Sequence, residues 1–205
     1  MMTKNHILSF LFIVILLVGC GQTSNTPFEM EMSIEIIRSP EEKVDIDSVF
    51  ESAQRIIKEK LPKAEYAGTF YKQSCENQGQ QNGKITFLFK EIRQEWFGFK
   101  EQILFAWFVV NLDNGKINLS ITNESDNDPS VDKYKKISND DFQKMMAAVD
   151  NHLTEHNIEN CSLAITEMKD YWHVLIWSPD RSMYLAEFGI DEEYNIVKVS
   201  DPITK

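Results

Sequence analysis

Ile103-Leu104-Phe105-Ala106-Trp107-Phe108-Val109-Val110-Asn111-Leu112-Asp113-Asn114-Gly115-Lys116-Ile117-Asn118-Leu119 reads as two strands joined by a tight turn. The β-branched and aromatic residues favour extended chain. Asn-Gly between two apolar runs is a strong hairpin signal, because both residues tolerate positive φ. From 103 to 110 the chain is apolar on both faces of the strand, and Tyr171–Trp177 is nearly so. A helix covers only one face of an antiparallel sheet, so something else must cover the other. Two covers are open: a second half of the chain, packed back to back or side by side, or a partner protein.

Strand-like runs precede this hairpin at about 64–74 and 84–92, and 102–112 leads into 116–122. Ahead of them, Val49, Phe50, Ala53, Ile56, Ile57 and Leu61 form one apolar stripe over a helix at roughly 47–61. Ser48 and Glu51 have the capping-box spacing, and Pro62 stops the helix. Earlier still, Phe28, Met30, Met32, Ile34 and Ile36 alternate with polar residues, the period of a half-buried strand.

Residues 123–137 contain the turn-forming run Asn123–Ser130 and read as a linker. The plan then recurs. A helix is expected over 138–156, with Ser138 and Asp141 at its start and Phe142, Met145, Met146, Val149 and Leu153 on one face. Strands follow near 162–168, 171–178, 183–190 and 196–200. A shift of 92 lays Phe50, Ala53, Ile57 and Leu61 on Phe142, Met145, Val149 and Leu153. A shift of 80 lays Ala106, Phe108, Val110 and Ile117 on Ala186, Phe188, Ile190 and Val197. The expected fold class is therefore α+β: two related modules, each a helix plus a four-stranded antiparallel sheet, over 28–122 and 138–205. The strand–turn–strand pieces Phe108–Leu119 and Phe188–Val199 resemble PepSY-type domains of bacterial envelope proteins. The strand at 28–36 gives the first half a cystatin-like order. The resemblance implies envelope location and a binding or modulating role, and supplies no catalytic residue.

At the N-terminus, Lys4 precedes an apolar run, Ile7–Val18, broken only by Ser9. This is the layout of a secretory signal peptide, over residues 1–19. About twelve apolar residues are too few to span a bilayer, which needs about 20. The ending Leu17-Val18-Gly19-Cys20 resembles the lipobox of bacterial lipoproteins. That resemblance implies cleavage after Gly19, acyl chains such as palmitate on Cys20, and a polar tether over 20–27. It places the mature chain outside the cytoplasm, anchored by lipid to the cell membrane or outer membrane. Two or three acyl chains give lasting attachment, since each buried methylene contributes about 0.8 kcal/mol.

Of the 205 residues, 32 are acidic and 21 basic; with Lys4 removed, 20 basic residues face 32 acidic ones, a net charge of −12. The richest basic stretch, Lys133-Tyr134-Lys135-Lys136, sits beside Asp126, Asp128 and Asp132, so nucleic acid is excluded as a partner. The acidic trio lacks the register of a calcium loop. Cys75 and Cys161 remain once Cys20 is assigned to lipid. In an extracytoplasmic chain they are either a disulfide or two separate buried thiols.

His152-Leu153-Thr154-Glu155-His156 matches H-x-x-E-H, in which two His one turn apart bind zinc and Glu activates water. The motif falls in the last turn of its helix, and a third protein ligand would have to come from strands and turns downstream, where Glu159, Glu167, Asp170, Glu187 and Asp191 are formally available. His152 and His156 are therefore weak metal candidates, with a packed helix end as the simpler account. There is no G-x-S-x-G and no Gly-rich phosphate loop, so no cofactor and no enzymatic activity is expected. Arg93-Gln94-Glu95-Trp96-Phe97-Gly98-Phe99-Lys100 has hot-spot residue types, and Trp96, Phe97 and Phe99 are the expected partner-binding residues. The functional expectation is a lipid-anchored binding or modulator protein of the envelope, with another envelope or secreted protein as partner. An immunity-type lipoprotein neutralising a toxin, or a zinc hydrolase using His152, Glu155 and His156, are the alternatives.

Overall fold

A computed structural model describes residues 28–38, 43–75, 83–94, 101–124 and 136–198. The signal peptide, Cys20 and the tether, Trp96, Phe97 and Phe99, and the acidic trio Asp126, Asp128 and Asp132 lie outside the described residues.

The chain runs β1 (Phe28–Ser33), α1 (Ile46–Lys60), β2 (Glu65–Ser74), β3 (Lys84–Gln94), β4 (Glu101–Asn111) and β5 (Lys116–Glu124). It continues with α2 (Asn139–Glu155), β6 (Ser162–Glu167), β7 (Trp172–Trp177), β8 (Tyr184–Ile190) and β9 (Ile196–Val197). Among the described residues no helix is long and apolar enough to cross a membrane.

The nine strands form one antiparallel sheet in the order β1-β5-β4-β3-β2-β6-β7-β8-β9. This overturns the expectation of two helix-plus-four-strand modules. The leading strands β2 and β6 lie edge to edge, with Phe70↔Thr166 through Ser74↔Ser162 in register. Each strand would otherwise present unpaired N–H and C=O groups, and pairing them closes both edges at once. Cys75 and Cys161 stand just beyond the last pair, where Cys75 N–H donates to the Cys161 carbonyl at 2.8 Å and the two sulfurs are bonded.

Both helices pack on the same face. The stripe Val49, Phe50, Ala53 and Ile57 of α1 and the stripe Phe142, Met145, Val149 and Leu153 of α2 belong to a single buried core. Phe50 meets Tyr66 and Phe87 edge-on, each at 5.3 Å, and Tyr71 meets Phe142 edge-on at 5.2 Å. The helix starts are tied to each other. Ile46 N–H donates to Asn139 Oδ1, Asn139 N–H to Asp47 Oδ2 at 3.1 Å, and Lys136 pairs with Asp47 at 2.9 Å. These bonds hold the Asp47 carboxyl below its usual range, Lys136 most of all.

The caps differ in detail from the capping-box spacing. Asp45, not Ser48, is the N-cap of α1, its side chain accepting from Ser48 N–H, so the helix begins earlier than the Ser48–Glu51 pair suggests. Ser138 caps α2 as expected, accepting from Asp141 N–H at 3.1 Å. In the β4–β5 turn only Gly115 of the Asn-Gly pair takes positive φ, at 67°. Glycine is required there for a second reason: any side chain would run into the carbonyl of Ile34, whose N–H donates to Gly115 O at 2.9 Å.

Candidate binding face and the groove of Lys72, Lys84 and Arg181

Strand alternation divides the sheet into two faces. Residues 66, 69, 71, 85, 87, 89, 104, 106, 108 and 110 point to the helices. Phe70, Lys72, Lys84, Thr86, Leu88, Phe105, Trp107 and Val109 point the other way. No helix among the described residues covers this second face. It has a small apolar cluster of its own: Ala67, Leu88 and Phe105 are buried, and Phe70, Ile103 and Trp107 pack against them half-buried. The second half does lie side by side with the first, one of the arrangements open from the sequence, but among the described residues it sets no element over this face. Ile103, Trp107 and Val109 stay half-buried on this face and Phe105 is buried between them, with no element among the described residues above.

Phe70 and Trp107 stack at 5.9 Å with their planes 33° apart. Beside them a groove of about 790 Å³ is lined by Lys72, Lys84, Thr86, Val109, Ser162 and Arg181. Lys72 sits two residues after Phe70 and so on the same face of β2. Lys84 is its direct cross-strand partner on β3. Close approach of the two strands at this end depends on Gly83, at φ 105°, where a side chain would strike the Lys72 carbonyl. Arg181 comes from the β7–β8 turn and holds a left-handed backbone, φ 59°. Its neighbour Asp180 is committed to the turn, accepting from Ser182 N–H and from the hydroxyls of Ser178 and Ser182. These bonds, that from Ser178 foremost, pull the Asp180 carboxyl down to about 2. Further along the same face, His173 Nε2 meets Glu187 Oε1 at 2.9 Å, and Trp177 stacks on Tyr184 at 5.5 Å.

On the helix face, Tyr66 donates to Glu167 Oε2 and is bonded to the Thr69 hydroxyl. Burial pushes the Glu167 carboxyl up to about 7, against the hydrogen bonds from Tyr66 and Thr69 that stabilise its anion. The cluster forms where β2 slips register between Tyr66 and Gly68, which lets both Tyr66 and Thr69 face β6. It lies on the helix face, with Thr69 buried and Tyr66 and Glu167 partly so, and is not part of the groove.

The H-x-x-E-H residues close a helix. His152 and His156 rings stack at 4.1 Å, and His156 Nδ1 lies 3.0 Å from the His152 carbonyl at the C-cap. His152 also packs on Phe188 at 4.3 Å, and burial is the main cause that lowers its pKa. Glu155 is exposed, and no third His, Cys, Asp or Glu joins them among the described residues.

Sequence reasoning reached Phe105 and Trp107 through their two-faced apolar run, but missed Lys72, Lys84 and Arg181. A partial signal existed: Phe70-x-Lys72-x-Ser74 and Lys84-x-Thr86-x-Leu88 alternate so that aromatic and cation share a face. Which strands lie side by side, and that Arg181 joins them, depends on the sheet order. No protein-family model, curated protein or solved structure matches this chain.

Proposed function

We propose that this chain is a lipid-anchored binding protein of the bacterial envelope, docking another protein on its helix-free sheet face. The observation that supports this reading best is the placement of Phe70 and Trp107, half-buried and stacked, on a face with no helix over it. Aromatic residues on a rigid sheet are low-entropy anchors of the kind that dominate binding energy. The groove beside them adds cations, so the docked protein presents acidic side chains to it. Cys20 supplies the anchor in this reading, and residues 20–27 the tether. Trp96, Phe97 and Phe99, in the connection between β3 and β4, are part of the same proposal.

The test is photo-crosslinking in the cells that produce the protein. A photoreactive phenylalanine replaces Trp107 or Leu175 on the helix-free face, or Glu51 or Asn151 on the exposed backs of the helices. One discrete protein adduct from the first pair and none from the second is the expected result. Adducts from the helix backs alone, or from neither pair, overturn the proposal.

A further inference from the structure

We propose that Lys72, Lys84 and Arg181 form the anchor point for a carboxylate side chain of the docked protein, whose apolar neighbour rests on Phe70 and Trp107. The inference rests on the docking reading above and names the chemistry of the contact. Three cations reach one groove from three elements: the end of β2, the first residue of β3 and the β7–β8 turn. They do so in a chain with 32 acidic residues against 21 basic ones. Like charges directly opposite in an antiparallel pair destabilise the sheet, and Lys72 stands directly opposite Lys84. Among the described residues none of the three makes an ion pair. Glu31 of β1 shares an adjoining groove with Lys84 and does not pair with it. Asp180, next to Arg181, gives its Oδ1 to three donors of the turn and makes no ion pair with Arg181. The fold therefore concentrates positive charge where folding gains nothing from it.

The size of the groove sets the class of ligand. About 790 Å³ is far more than one free anion fills and lies toward the upper end of small-ligand sites. A segment carrying an acidic residue beside a large apolar one uses both halves: the cations for its carboxylate, the stacked rings for its side chain. Charge-assisted contacts of this kind fix register and speed encounter.

The experiment is crosslinking from Val109, which lines the groove, in the full chain. It compares the unaltered cations with Lys72→Glu/Lys84→Glu and with Lys72→Arg/Lys84→Arg. The protein adduct is expected to fall at least about tenfold in the Glu pair, by loss of charge-assisted contacts, and to persist in the Arg pair. Both lysines are exposed, so the melting temperature is the folding control and should not drop. An adduct unchanged by charge reversal overturns the carboxylate anchor and leaves the docking face standing. Equal loss in the Arg and Glu pairs, or an adduct to lipid instead of protein, also overturns the anchor. Absence of any adduct from Val109, Trp107 and Leu175 overturns the anchor and the docking face together.

Discussion

At the scale of single residues, two groups are placed against their own preference. Lys72 faces Lys84, and replacing one of them converts a repulsion into an attraction. Lys84→Glu should leave the fold intact and raise stability by roughly 0.2–1 kcal/mol, the range for cross-strand charge pairs. Urea unfolding at low salt checks this, and a clear loss of stability would show that Lys84 supports the fold. Glu167 is the other case. Its carboxyl is pushed from 4.5 up to about 7, chiefly by burial. Between those values the folded chain keeps a proton that the unfolded chain has released, so stability falls as pH rises through that window. The shift corresponds to about 3 kcal/mol lost between pH 4.5 and 7 from this group. Glu167→Gln should remove that slope, becoming the more stable form above pH 7 while nearly matching the parent near pH 4.5. Parallel urea titrations at the two pH values decide it, and identical slopes would mean the carboxyl is not held protonated.

At the scale of elements, the β2–β6 seam carries the largest burden, because nine strands become one sheet only there. Five residue pairs hold it, and the Cys75–Cys161 bond closes a stretch of 86 residues across it. In the chain-entropy account a loop of that length contributes about 4–5 kcal/mol. Cys75→Ser/Cys161→Ser, or reduction of the parent, is expected to lower the unfolding free energy by an amount of that order. Denaturant curves with and without reductant measure it, and superimposable curves would show that the seam holds without the bond. Nearly every element was legible in the sequence. The expected strands at 64–74, 84–92, 102–112 and 116–122 correspond to β2 through β5, and both helices fall within a residue or so of their expected limits. These elements declare themselves because periodicity follows from which side of an element meets water. The α1 cap was misread because Asp45 and Ser48 are both good cap residues, and only the path of the chain after Val44 selects between them.

At the scale of the whole molecule, one continuous core beneath both helices implies one cooperative unit. Far-UV circular dichroism and tryptophan fluorescence should trace a single coincident unfolding transition, as for a two-state domain. Two separated transitions would restore the picture of independent modules. The same arrangement bears on the candidate site. Alternation in each strand identified aromatic residues in excess of what one helix covers, yet it could not say whether a second half covered them. The sequence by itself determined the identity and order of the elements and which residues of each turn inward. Those properties are set by the local chain and its exposure to water. Only the tertiary structure decided that β2 meets β6, that both helices share one face, and that Lys72, Lys84 and Arg181 line one groove. Edge-to-edge pairing is made by backbone groups that every residue carries, so side-chain pattern does not encode it.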